Sequence, residues 1–521
     1  MKAHCVGETP VGMIPAERSV CPAGIVGHHL AIHPLRLKKT LHNATESSKD
    51  EALEAARTAA GLGGVAVLDL LPGRVASRLH RENMARMKGH YVTAPPVEGA
   101  TAQALSRLLP AEAPLVAELS AARTVLSVST PLCEGWASPA LVTKPEFYLI
   151  QADVRKSYTA ERAEEWLRLQ PGGEAALLLA LLKVVLEERG AQVGGSAVAI
   201  EELRSVKLEQ LCARAGVTAE TVRGVARRLM HEPAAVIADG DPAGGPLGHT
   251  AQAAAAALNA GLGLSAWRQT NCPMAGESLA GVPDRSLHLL MVDAPLPGLA
   301  LPWQMVTPKL AGDGAVVVAL TWNREQFASV ADWQVPVPVY LEGKHELPPA
   351  YDTASRAAGV SEGWLAPPED AVYAADFVAE VAEGPAGYAE AVAEAAKASP
   401  VSATPAKPVR LLPDDLRIAK LVEAALAPPA PLTVVAHGWR LAGVSPLLGK
   451  LWKEADLMRG PNTAYTHPDT APKVPKAQPV ADGSIQRGVV ELCAGPGFVQ
   501  QCRPAPDGAW RPANSQTEVR S

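Results

Sequence analysis

Residues 147–188 read FYLIQADVRKSYTAERAEEWLRLQPGGEAALLLALLKVVLEE. The apolar and aromatic run Phe147 to Ile150, with Ala152, predicts a strand that ends at Asp153. Arg155, Ser157, Thr159 and Ala160 follow. That spacing sets several hydrogen-bonding groups just past a strand end, the place where ligands bind in an open α/β sheet. A short helix comes next, then Pro171-Gly172-Gly173 stops one element and lets another begin. Glu174 falls in the first turn of the long apolar helix, where the dipole favours a carboxylate.

Outward from this stretch, short β-rich runs alternate with helical patterns. Strands are expected at 65–71, 124–128, 147–152, 235–238, 288–292, 315–320 and 432–436. Helices are expected at 49–60, 175–188, 218–230 and 250–261, with Thr218 as a cap and Glu220 in the first turn. Strand–helix alternation predicts parallel sheets in an α/β fold. Asp69, Ser127, Ser129, Asp153, Asp239, Asp241 and Asp293 stand at or near strand ends, so the sequence predicts a polar rim along one sheet edge.

The chain's 521 residues suffice for several domains. A hydrophobic content of 48% with 20% charge is that of a soluble globular protein. A net charge of -6 without a Lys/Arg run argues against nucleic acid as a partner. The longest apolar runs, 175–186 and 251–266, are interrupted by Lys183 and by Gln252 and Asn259, so no direct membrane span is expected. No export signal is visible near the start. The seven cysteines (Cys5, Cys21, Cys133, Cys212, Cys272, Cys493 and Cys502) form no C-x-x-C pair and no disulfide framework. His28, His29 and His33 lack a carboxylate at ligand spacing. Residues 240–245, GDPAGG, lack the Lys-Ser/Thr of a P-loop.

Asp153, Arg155, Ser157, Thr159, Ala160, Ala163, Trp166, Pro171, Gly172 and Glu174 together resemble a motif of the molybdopterin oxidoreductases, the dimethyl sulfoxide reductase superfamily. In that superfamily the run D-x-R-x-S-x-T-A…A-x-x-W…P-G-T-D/E lines a pterin dinucleotide; here Gly173 replaces the usual Thr. Further segments follow in the family's order. His33 to Leu37 resembles P-x-R-L, and residues 49–53 resemble W-D-E-A-L with Lys49 for Trp. Ala238 to Gly240, Gly248 to Gln252 and Leu258-Asn259 resemble a second pterin half-site. Ala331-Asp332, Pro336, Pro338 and Leu341-Glu342 resemble A-D-x-x-L-P…L-E, and His467 to Ala471 resembles N-P-x-x-A. The loop with Glu134-Gly135-Trp136 most resembles subunits of the menaquinone reductase complex and alternative complex three.

The resemblance implies a multi-lobed α/β scaffold with parallel sheets, plus a reduced C-terminal β-barrel-like domain. The expected divisions are a remnant of the iron–sulfur region at 1–48, α/β domains at 49–398, a linker at 399–409, a reduced dinucleotide-binding-like domain at 410–502 and a disordered tail at 503–521. The implied cofactor is molybdopterin guanine dinucleotide. Its expected contacts are Asp153, Arg155, Ser157 and Thr159 on one side and Gly240, His249 and Thr250 on the other. Arg155 could pair a phosphate or an internal carboxylate; the residues leave both open.

Departures from the family pattern bear on function. A cluster needs four thiolates, and only Cys21 matches the family's set, so no iron–sulfur cluster is expected. Residues 86–106, where relatives carry a metal ligand, hold no Cys, and Ser106 lies in a helical pattern. The Gly-Gly pair after the second half-site is missing. Two readings follow. One is a structural subunit of a membrane-associated, quinone-linked respiratory complex. It would dock an iron–sulfur protein, a membrane quinone-interacting subunit and a multihaem cytochrome c. The other is an active molybdenum or tungsten bis-pterin oxidoreductase with a solvent or Ser ligand. Family analogy implies the periplasmic face of the inner membrane; the lack of a visible export signal points instead to the cytoplasm.

Overall fold

The computed structural model describes residues 2–7, 9–14, 27–93, 115–130, 132–134, 146–189, 197–238, 249–269, 276–277, 279–295, 303–312, 314–325, 327–347, 359–397, 404–405, 418–428, 433–437, 463–473, 478–483, 485–493, 502–504 and 510–512. Two parallel sheets dominate, and one is inserted within the other. The larger runs in the order Thr45–Ser47, Thr40–His42, Trp333–Pro336, Val316–Thr321, Leu289–Ala294, Val65–Asp69, His90–Thr93. Its last five strands are mutually parallel, and the first two pair antiparallel at one edge. Alternate residues feed the two faces. Val65, Val67, Leu289, Met291 and Val318 pack into one cluster, and Ala66, Leu68, Leu290, Val292 and Val317 into another. Burial on both faces explains why these strands read as continuous apolar runs.

The second sheet is built entirely from the segment between those two groups of strands. Its order is Glu165–Arg168, Tyr148–Asp153, Thr124–Val128, Ala234–Ile237, all parallel. Leu115–Ala117 enters the insertion and Trp267–Gln269 leaves it, and these two strands pair antiparallel. The Glu118 N–H donates to the Ala266 carbonyl at 2.7 Å, and Arg268 pairs with Glu118 at 2.9 Å. The insertion is thus closed at its neck. Thr404–Pro405, inside the expected linker, adds to the Trp267–Gln269 strand.

Helix Glu174–Arg189 is the centre of the inserted unit, buried from Ala175 through Leu186. Helices Leu208–Ala215, Ala219–His231, His249–Gly261 and Ile418–Leu426 pack around it. Even Lys183 is buried; its Nζ donates to the Leu203 and Arg204 carbonyls at 3.2 and 3.3 Å and pairs with Glu187 at 2.7 Å. The tip of this side chain therefore satisfies the last carbonyls of helix Ala197–Arg204.

The expected strands and helices all form, with ends shifted by no more than two residues. Within residues 147–188 one further element forms. Trp166 lies in an edge strand, Glu165–Arg168, after a helix of five residues, Tyr158–Arg162. In the C-terminal region a four-stranded mixed sheet forms in the order Thr433–His437, Val489–Cys493, Thr463–Thr466, Gln478–Ala481. Cys502–Pro504 pairs with Trp510–Pro512, which runs from the last residue of the expected C-terminal domain into the stretch expected to be a disordered tail. Among the described residues no helix is long and apolar enough to cross a membrane.

Several of the segments singled out in sequence serve the fold itself. Arg36 and Glu342, 306 positions apart, form a buried ion pair at 2.5 Å, and Arg36 also donates to the carbonyls of Leu37 and Val337. Asp332 accepts the Val317 N–H at 2.8 Å. Helix Lys49–Gly61 opens with a capping box: Ser48 Oγ accepts from the Glu51 N–H, and the Glu51 carboxylate accepts from the Ser48 N–H. Asn259 covers an open sheet edge. Its side chain accepts the Val236 N–H at 2.9 Å and donates to the Val236 carbonyl at 2.8 Å, standing in for a neighbouring strand. Trp267 Nε1 donates to the same Asn259 oxygen at 3.0 Å.

Candidate functional site

Each parallel sheet presents a carboxyl edge, and the polar rim expected from sequence is divided between the two. On the seven-stranded sheet Asp69 and Asp293 stand side by side in register on adjacent strands, both fully buried. Two carboxylates so placed repel unless a cation lies between them. Arg74 supplies it: one guanidinium nitrogen lies 3.0 Å from Asp69 Oδ1 and 2.5 Å from Asp293 Oδ2. The Asp69 carboxylate also accepts from the Leu71 N–H, from Ser77 Oγ at 2.6 Å and from the Tyr91 hydroxyl at 2.9 Å. Asp293 Oδ2 is 2.9 Å from His80 Nε2.

Burial works against the ionised form of Asp293, but Arg74 and the hydrogen bond from His80 outweigh it and hold its carboxyl down to about 2. Burial likewise pushes the Tyr91 hydroxyl up, and the neighbouring Asp69 charge adds to the shift. The result is a network of one cation and several donors around two acids, in which Asp293 Oδ1 and His80 Nδ1 are buried without a partner among the described residues.

Helix Val75–Met87 starts at this edge with Arg74 in the cap position, a residue without the short polar side chain that usually caps a helix. Glu346, from the strand His345–Leu347, supplies the missing acceptor. Its carboxylate accepts the N–H groups of Val75 at 2.6 Å and Ala76 at 3.1 Å, and the Tyr388 hydroxyl lies 3.4 Å away.

The four-stranded edge is chemically different. Ser127, Gln151 and Trp166 lie in register on three adjacent strands. Gln151 Nε2 donates to the Thr130 carbonyl at 3.3 Å and to Asp153 Oδ2 at 3.4 Å, while Ser127 Oγ donates to the same Thr130 carbonyl at 3.0 Å. Ser129, just past the Thr124–Val128 strand, holds φ at +50°, a conformation costly for a residue other than glycine. Among the described residues of this unit, Ser129 Oγ, Gln151 Oε1, Trp166 Nε1 and Gln252 Nε2 are buried polar atoms with no hydrogen-bond partner.

The structure brings together four of the predicted contacts. Asp153 ends its strand and accepts the Arg155 N–H at 3.4 Å. Ser157 caps the next helix through the Ala160 N–H at 3.2 Å, and Thr159 Oγ1 accepts the Cys133 N–H at 3.2 Å. His249 and Thr250 open helix His249–Gly261. Gly240, Asp239, Asp241, Cys21 and residues 94–106 of the expected metal-ligand region lie outside the described residues.

Gly173, the departure from the family's Thr, has a steric cause. A Cβ there would meet the Ala215 Cα and the Gln170 carbonyl oxygen, each at 2.9 Å. The His28, His29 and His33 group carries no metal-ligand geometry, and among the described residues no cluster of three or more His, Cys, Asp or Glu side chains could hold a metal. His33 Nδ1 accepts the Leu35 N–H at 3.1 Å.

Sequence reasoning missed Arg74, Ser77, His80 and Glu346. Arg74, five residues after Asp69, was within reach as the polar residue opening the next helix. Glu346 carries no local signal, because its partners lie about 270 positions earlier.

No known sequence family matches the chain, and no curated protein matches it. Among solved structures it is similar to acetylene hydratase from Pelobacter acetylenicus, with a TM-score of 0.64 and 15% identity over 98% of this chain and 91% of that one. The formyltransferase/hydrolase complex FhcABCD from Methylorubrum extorquens, in complex with methylofuran, matches at a TM-score of 0.40 and 13% identity, over 66% of this chain and 98% of that one. The chain has the molybdopterin oxidoreductase fold, mixed α/β with parallel sheets.

Proposed function

We propose that this chain is a structural subunit of a membrane-associated, quinone-linked respiratory complex, without an iron–sulfur cluster or metal of its own. The reading rests on the ordered resemblance of its segments to the superfamily and on the loop with Glu134-Gly135-Trp136, which most resembles subunits of that kind. One observation carries the loss of chemistry: Arg74 is held between Asp69 and Asp293 at the edge where a parallel α/β sheet receives its ligand. Those groups are mostly engaged with each other, with Asp293 Oδ1 and His80 Nδ1 the buried atoms of the network that have no partner among the described residues. In this role the chain docks an iron–sulfur protein and a membrane quinone-interacting subunit, with a multihaem cytochrome c as a third partner.

The four-stranded edge favours a second reading, in which the chain still carries a pterin nucleotide and acts as a molybdenum or tungsten oxidoreductase. Ser129, Gln151, Trp166 and Gln252 each have a buried polar atom without a partner, and such atoms are the observation that fits a bound polar ligand. With them, Asp153, Arg155, Ser157 and Thr159 would hold the nucleotide. The group would supply a dithiolene-bound metal for two-electron transfer.

Purification of the tagged full-length chain from solubilised native membranes tests the first reading. Co-isolation in fixed proportion with an iron–sulfur protein and a quinone-binding membrane protein is the expected result. A chain that purifies alone and turns over an oxidisable substrate would refute it.

A further inference from the structure

The buried apolar side chains divide by chain segment. One cluster draws its residues from Leu115 to Trp267 and from Ile418 to Val489. The others draw theirs from Leu30 to Val92 and from Val282 to Val392. Among the described residues no extensive packing of helix or strand joins one set to the other. Helix Ile418–Leu426 and strand Val489–Cys493 therefore share the core of the inserted unit, although they follow the seven-stranded body in sequence. The chain passes between the two bodies three times, and a strand of one three-stranded sheet marks each passage, in the order Thr404–Pro405, Trp267–Gln269, Leu115–Ala117. It enters the inserted unit at Leu115, leaves at Gln269 and returns at Thr404. The register sets Gln269 opposite both Leu115 and Thr404. All three crossing points thus stand side by side in a single row. Leu115, Ala117 and Trp267 are buried in the inserted unit's core, so the sheet is fixed to that unit.

We infer that the row Leu115, Gln269, Thr404 is a hinge line, about which the inserted unit and the C-terminal region swing as one body against the seven-stranded body. Three neighbouring strands make a row about 10 Å wide. A row of that width resists twisting and leaves one free direction, bending about the axis that runs across the strands. Because each body has its own core, bending disrupts neither. On the inner side of the row the sheet is held by the Glu118–Ala266 hydrogen bond and the Arg268–Glu118 ion pair, so the bend falls at the row itself. A partner or ligand that touches both bodies selects one angle; one that touches a single body leaves the angle free. The hinge is independent of what the chain assembles with, and it holds for a structural subunit and for an enzyme alike.

Two measurements on the full-length protein test this. The first is pulsed dipolar spin-label spectroscopy at exposed positions, on a background with the seven native cysteines replaced by Ser. Leu62→Cys with Glu369→Cys reports within the seven-stranded body, and Glu220→Cys with Lys420→Cys within the inserted body and its C-terminal addition. Both pairs should give narrow distance distributions. Leu62→Cys with Glu220→Cys, and Leu62→Cys with Lys420→Cys, span the hinge and should give distributions at least about twofold broader. Spanning pairs as narrow as the controls, or a broad Glu220–Lys420 pair, would overturn the inference. The second is calorimetric unfolding of the protein with its native cysteines. Two transitions are expected, of which Arg74→Met lowers only one and Asn259→Ala only the other. A single transition lowered by both substitutions would overturn the inference. Should the cysteine-free background fail to fold, calorimetry decides it.

Discussion

The carboxyl edges of the two parallel sheets are built from the same kind of strand–loop–helix unit, yet one is held by ion pairs, with Asp293 Oδ1 and His80 Nδ1 left over, and the other mostly by neutral polar groups. At the seven-stranded edge Asp69, Arg74, Asp293, His80, Ser77 and Tyr91 bind one another, and Glu346 fills the helix start. At the four-stranded edge the side chains are mostly neutral, and Ser129, Gln151, Trp166 and Gln252 leave polar atoms unpartnered. Buried charge demands pairing, and once paired it is hard to recruit for a ligand. Buried neutral polar groups cost less when left alone, so they can persist beside an open position. One fold thus contains an edge braced by buried ion pairs and an edge of mostly neutral polar groups.

The largest expected effect comes from breaking the brace. Arg74→Met leaves Asp69 and Asp293 buried without their cation, and a loss of about 3–5 kcal/mol is expected in denaturant unfolding. A loss under about 1 kcal/mol would mean that the two carboxylates are not ionised together. Asn259→Ala is next. It strips partners from the Val236 N–H and carbonyl and from Trp267 Nε1, and should cost about 3 kcal/mol in the same measurement. Asn259→Asp, which keeps the acceptor but loses the donor to the Val236 carbonyl, separates the two halves of that contact.

Acid sharpens the contrast between the edges. The Asp293 carboxyl is depressed in the folded state, so its contribution is fully present above its ordinary value of 3.8 and is lost as pH falls through about 2. Unfolding followed between those limits should show the seven-stranded sheet weakening with proton uptake at Asp293. In Asp293→Asn that pH dependence should be reduced. The smallest effect is expected at the other edge. Gln151→Leu removes two long hydrogen bonds and an unpartnered oxygen together, and should change stability by no more than about 1 kcal/mol. A much larger loss would show that Gln151 is a brace like Arg74.

How far these features are legible in the sequence depends on the range of the interaction behind each. The strands are legible because residues such as Val65 to Leu68 and Leu289 to Val292 are buried on both faces and therefore apolar without alternation. The helix starting at Lys49 is legible because its cap is local, Ser48 with Glu51 three residues on. The motif residues Arg36 and Glu342 could be noticed separately, but their pairing across 306 positions could not be read. The short strand carrying Trp166 was missed because four residues, Glu165–Arg168, are too few to show a period. At the candidate site, Asp153 ends a strand and Ser157 and Thr159 come just after it, so their neighbourhood is legible from local spacing. The capping of helix Val75–Met87 depends on Glu346 reaching it from about 270 positions away, and no local pattern encodes that.

Elemental analysis of the full-length chain, purified with its partners and then separated from them, tests the central claim most directly. Inductively coupled plasma mass spectrometry for molybdenum, tungsten and iron should find none of the three in stoichiometric amount on this chain. Molybdenum or tungsten near one atom per chain would contradict the structural-subunit reading and return the scaffold to catalysis.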